Sequence, residues 1–137
     1  MAGDYALNGL AVPGSLDELQ DLLTQVRTDH PELDERHLSM FETAIVEIHG
    51  NVIQHGRPQG RVLYAFSLHV EPDRLVGYLA DTSEPAPDLS AMEPVDAMAE
   101  SGRGMWIARA TLDELHYARS GDRNTWKMVR RLHGVRA

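Results

Sequence analysis

At 137 residues, 42% hydrophobic and 25% charged, the chain has the size and composition of one globular domain, residues 1–137, with a single core. Its formal charge of −8 argues against nucleic-acid binding, and the absence of cysteine excludes disulfides, thiolate metal sites and a thiol nucleophile, in keeping with a cytoplasmic chain. No apolar run approaches ~18 residues, so no membrane span is expected, and "MAGDYALNGLAVPG" lacks the basic and apolar regions of a signal peptide.

The first helical signal is "SLDELQDLLTQVRTDH", residues 15–30, where Leu16, Leu19, Leu22, Leu23 and Val26 recur at helical spacing. Ser15 followed by Glu18 has the spacing of a capping box. Pro31 interrupts, and a second helix is predicted from Glu35 to His55, ended by "GRPQG". The period then changes to two. "RVLYAFSLHV" and "LVGYLAD" read as strands joined by an "EPDR" turn, and so short a connection implies antiparallel pairing.

Residues 82–101, "TSEPAPDLSAMEPVDAMAES", carry three prolines and read as a lid, with room for a helical turn in "AMEPVDAMAE". "GRGMWIARATLDEL" reads as a third helix opening on glycines, and "ELHYARS" and "TWKMVRRL" as strands flanking a "GDRN" turn. The order helix, helix, strand, strand, lid, helix, strand, strand implies an α+β fold, with helices on one face of a largely antiparallel sheet. The basic segment "KMVRRLHGVR" reads as a solvated strand and tail, with a docking surface for an acidic partner as the alternative.

The second helix carries the first hint of chemistry. At ~100° per residue, Phe41, Ala44, Ile45, Ile48 and Val52 share one line, while Glu47, Asn51 and His55 lie on its flank. A carboxylate there is partly desolvated, as a general base requires, and the amide one turn on offers a neutral oxygen suited to Mg²⁺. A polar boundary stripe explains the spacing equally well. A zinc site on His49 and His55 is disfavoured, because the two point in different directions. Downstream, Gly102 and Gly104 in "SGRGMWIA" stand at the expected start of the third helix, where N–H groups and the helix dipole favour phosphate, although a plain helix start reads the same. Asp81 ends a strand just before the lid, placed either to accept a ligand hydrogen bond or to make a turn.

These pieces in this order resemble the ATP-binding domain of the gyrase, Hsp90, histidine-kinase and MutL superfamily, and within it the bacterial anti-sigma-factor serine/threonine kinases. "EIHGNVIQHG" is similar to their N box, "AD" at Ala80 and Asp81 to the start of the first glycine box, and "GRGMWIARATLDEL" to the second glycine box. Thr125 falls where the family has a threonine on the last strand. The resemblance implies a two-layer α/β sandwich with a mixed, mostly antiparallel sheet. Glu47 would act on the attacking hydroxyl as general base or orienter, Asn51 would hold Mg²⁺, and Asp81 would bind the adenine amino group of ATP. Gly102 and Gly104 would let backbone approach the phosphates, Thr125 would lie beneath the adenine, and His55 would bridge to lid or nucleotide. The implied partners are a sigma factor and a STAS-domain antagonist. A homodimer is implied as well, with the first helix and the N-terminal segment as its apolar surface. One departure stands out: Ser83 and Pro85 occupy the positions of the two glycines in the first box. That leaves open a second reading, a protein-binding regulator that keeps the fold without efficient catalysis.

Overall fold

The alternation read between residues 61 and 70 is a strand, and it lies second in a sheet of five. The computed structural model describes residues 3–85 and 100–132. In chain order these form β1 (Gly3–Leu10), α1 (Gly14–Asp29), α2 (Glu35–His55), β2 (Leu63–Glu71), β3 (Arg74–Asp81), α3 (Glu100–Thr111), β4 (Glu114–Ser120) and β5 (Arg123–Arg131). The sheet order is β1-β2-β3-β5-β4, and all four pairings are antiparallel rather than mixed. The fold is α+β, as expected.

The core sits between the helices and one face of this sheet. From α2, Phe41, Ala44, Ile45 and Ile48 are almost wholly buried, and from α1 so are Leu19, Leu23 and Val26. They meet Phe66 and Leu68 of β2, Leu75 and Leu79 of β3, and Trp126 and Met128 of β5. Each large side chain so buried contributes roughly 1.5–3 kcal/mol. α2 has its predicted limits: Asp34 caps its start by accepting from the Arg36 N–H at 2.9 Å, and the Gly56 N–H closes on the Val52 carbonyl at 2.8 Å.

Four expectations change. "GDYALNGL", for which the sequence pattern predicts no element, is a strand; its residues alternate between half-buried and exposed at the sheet edge. Tyr5 and Leu7, both half-buried, pack against the core from this strand. Ser15 makes no capping box, because α1 begins two residues earlier with Pro13 at the cap position. The Ser15 hydroxyl instead donates to the Val12 carbonyl at 2.6 Å. The third helix spans Glu100–Thr111, so Gly102 and Gly104 lie inside it rather than ahead of it. It ends before "LDEL" because the Asp113 N–H bonds Val129 O and Glu114 opens β4. Of the expected lid, residues 82–85 are described and the chain is already helical at Glu100, while 86–99, with most of "AMEPVDAMAE", fall outside the described residues.

The basic segment is engaged internally over its described part. Arg130 donates to His37 Nδ1 at 3.1 Å and to the Thr111 carbonyl at 2.6 Å, and Arg131 pairs with Glu114 at 3.2 Å. Residues 133–137 lie outside the described residues.

Candidate functional site

Asp81 is the last residue of β3, its Cα paired with Tyr64 on one side and Asn124 on the other. Residues directly opposite across strands share a face, so all three side chains point toward the helices. Asp81 is 2% exposed. Its Oδ1 accepts three hydrogen bonds, from the Ser83 N–H at 2.9 Å, the Ser83 hydroxyl at 2.5 Å and Asn124 Nδ2 at 2.9 Å. Its Oδ2 is buried with no partner among the described residues. A buried carboxylate oxygen without a donor is costly unless a ligand or water completes it.

Asn124 organises this end of the sheet. Its amide NH₂ also reaches the carbonyls of Ser83 at 3.0 Å and Glu84 at 3.1 Å. Its carbonyl accepts from the Tyr117 hydroxyl and from Arg119 at 3.2 Å, and Arg119 donates to the Ser83 carbonyl at 2.6 Å. The chain after Asp81 is therefore tied to β5 and β4 through polar groups. The Asp81 carboxylate bonded to the Ser83 N–H makes an Asx-turn, which reverses the chain locally. No non-glycine residue among those described has positive φ. The missing glycines are thus no obstacle to this turn, because the path that it takes does not enter the left-handed region.

Glycine is required one element away. Gly56 ends α2 against this segment after Asp81, a strap of residues 82–85; a Cβ there would press into the Val52 carbonyl oxygen and come within 3.1 Å of Ser83 Cβ. This contact brings the end of the "EIHGNVIQHG" motif against residue 83. Glu47 and Asn51, one turn apart on α2, are both half-buried, and His55 is exposed at the helix end. None of the three has a side-chain hydrogen bond among the described residues. α3, which carries Gly102 and Gly104, packs along α2.

Thr125 does not join this group. It pairs with Ala80 of β3 and Ala118 of β4 and faces away from the helices. Its neighbour Asn124 is the β5 residue that stands opposite Asp81. Asn124, Ser83, Tyr117 and Arg119 were all missed as site residues. The period-two alternation was the available signal, since it sets residues 124, 126 and 128 on the face of the buried Trp126 and Met128.

His49 and His55 do not converge. His49 is fully buried, its ring 4.5 Å from that of Tyr64. The single Ser15 hydroxyl proton is committed to Val12 O, so His49 Nε2 donates to Ser15 Oγ at 2.7 Å and Nδ1 carries the bare lone pair. That Nδ1 is buried without a partner. Burial pushes the imidazole down to about 4, against a smaller upward pull from Asp81. Tyr64 is pushed up to about 12 by burial and by Glu18, which accepts its hydroxyl at 3.3 Å.

A family model, the histidine kinase-like ATPase domain, matches residues 10–130. The chain belongs to this family. No curated protein matches it. Membership in the ATPase-domain family implies ATP binding, and the residues present fit that ligand. Asp81 Oδ2 is an oriented, desolvated acceptor suited to an exocyclic amino group, and the Glu47–Asn51 flank lies on the helix whose end touches the strap. No helix among the described residues is long and apolar enough to cross a membrane.

Proposed function

We propose that this ATPase domain is an anti-sigma factor that also acts as a Mg-ATP-dependent serine/threonine kinase toward a STAS-domain antagonist in the cytoplasm. The observation that carries the nucleotide part is Asp81: one carboxylate oxygen is saturated by three donors, while the other is buried and unmet. That arrangement fits one N–H of an adenine amino group. Asn51 would offer its amide oxygen to Mg²⁺, whose chemistry here is to neutralise phosphate charge. Glu47, one turn away, would orient or deprotonate the incoming hydroxyl. Gly102 and Gly104 would bring α3 backbone close to the phosphates. Thr125 has no part in this reading.

The same reading includes a homodimer. Among the described residues, the exposed large apolar side chains are Leu10, Leu63 and Tyr78 on the outer sheet face and Trp106 on α3. Light scattering at micromolar concentrations that returns only the 15.3 kDa monomer would reject it.

A second reading, a protein-binding regulator without efficient catalysis, is favoured by one observation. The strap is pinned by Asn124 and Arg119 and ends in Glu84 and Pro85, where the family has glycine-bearing backbone able to approach phosphate. The experiment that separates the two mixes protein, Mg-ATP and a STAS-domain antagonist. Phosphorylated antagonist supports the kinase. Stable capture of the antagonist or a sigma factor, with no phosphate transferred, supports the regulator.

A further inference from the structure

β1 is an edge strand, and its outer side is open over a groove of ≈ 430 Å³ that it shares with α1. Tyr5 and Leu7 contribute from the strand, and Glu18, Asp21, Leu22 and Gln25 line the helix side at i, i+3, i+4 and i+7 spacing. Ala11 N–H bonds Val62 O at 2.8 Å toward β2, whereas Leu63, opposite Leu10, directs its N–H and C=O to Thr82. Alternation along an antiparallel ladder then turns the backbone groups of Tyr5, Leu7 and Gly9 toward β2, and those of Asp4, Ala6 and Asn8 outward. β1 contains neither proline nor lysine, two devices that commonly blunt a strand edge.

We propose that this groove binds an extended, lysine- or arginine-bearing segment of a partner protein as a sixth strand of the sheet. Strand addition takes its affinity from backbone hydrogen bonds and its selectivity from alternate side chains. Four residues of β1 line the groove, a span of roughly 13 Å, matched by about four paired residues of an added strand. The charge selects the occupant. Residues 1–26 hold Asp4, Asp17, Glu18 and Asp21 and no lysine or arginine. Asp21 is exposed and has no ion pair or hydrogen bond among the described residues. A second copy of this chain would set acid against acid along the groove, whereas a basic strand would place alternate cations beside Glu18 and Asp21. The proposal stands apart from the nucleotide reading, because the groove shares no residue with the Asp81 site.

The test uses the full chain and a fluorescein-labelled hexapeptide of alternating valine and lysine, with a valine–glutamate peptide and an N-methylated valine–lysine peptide as controls. Anisotropy should show the lysine peptide binding at least about tenfold more tightly than either control, and more weakly as salt rises past ~0.1 M. Asp21→Lys, at an exposed site, should lower that affinity by about tenfold. Ala6→Pro removes an outward N–H without touching the β1–β2 ladder and should abolish binding. Amide shifts in the wild type should concentrate at residues 4–10 and 18–25. Absence of binding at ~1 mM peptide, equal binding of the N-methylated control, or indifference to Asp21→Lys would each overturn the proposal. So would a wild-type dimer that Ala6→Pro converts to monomer, since the edge would then belong to a second copy. Should Ala6→Pro fail to fold, Asp21→Lys and the N-methylated peptide still decide.

Discussion

Asn124 and Asp81 face each other across the β5–β3 ladder, 2.9 Å apart from amide nitrogen to carboxylate oxygen, and this contact sets which carboxylate oxygen stays open. Asn124→Ala strips a donor from Asp81 and leaves the buried carbonyls of the strap short of partners. We expect a stability loss of about 1–3 kcal/mol and an ATP affinity that falls further than stability alone explains. Chemical denaturation and nucleotide titration on the same variant check this; unchanged ATP affinity would remove Asn124 from the site.

Glu47 and Asn51 test the chemistry. Asn51→Ala should weaken Mg-dependent ATP binding and abolish phosphate transfer together. Glu47→Gln should leave ATP binding nearly intact and slow transfer by roughly 10²–10⁴-fold. Both groups flank the apolar line of α2, so melting temperatures should barely move. A passive polar stripe would give small, similar stability changes and no selective loss of transfer.

His49 makes stability depend on pH. Its folded value of about 4 lies below the ordinary 6.5, so the unfolded chain binds the proton more readily. The stabilisation from a neutral His49 is complete above pH 6.5 and is lost as pH falls toward 4, by about 3 kcal/mol over that window. Ser15, Tyr64 and, at longer range, Asp81 surround the ring. Urea midpoints should fall between pH 7 and pH 5 in the wild type and fall less in His49→Leu. Equal slopes in both proteins would count against this account.

Gly56→Ala pushes a methyl group into the Val52 carbonyl and against Ser83. A loss of about 1–3 kcal/mol is expected, together with weaker ATP binding as the strap moves. Thermal melts and titration measure the two effects. An alanine variant as stable as wild type would mean that the strap does not depend on this close approach.

How legible the molecule was depended on how strongly each segment was patterned. α2 was readable at both ends because a full apolar line, an Asp cap and a terminal glycine agree. β2, β3 and β4 were readable because their alternation or turn chemistry is distinct. β1 was not, because an edge strand buries its inward residues only halfway and "GDYALNGL" includes two glycines. The start of α3 was misplaced because glycine ordinarily marks a helix boundary, yet here two lie within the first turns. Glu47, Asn51 and Asp81 are candidates that spacing and resemblance alone suggest. Asn124 could not be told from Thr125 by a motif alone, since one residue along a strand reverses the face. The polar clamp around Ser83 depends on contacts between residues 36 to 43 apart, which no local pattern reveals.

The central claim is that Asp81 Oδ2 accepts a hydrogen bond from a bound nucleotide. Calorimetric titration of Mg-ATP into wild type and Asp81→Asn tests it most directly. The account predicts one ATP per chain for the wild type and at least about tenfold weaker binding for Asp81→Asn, because the asparagine can no longer offer an acceptor on both sides. No heat from the wild type at ~1 mM ATP, or equal affinity in the two proteins, would contradict it.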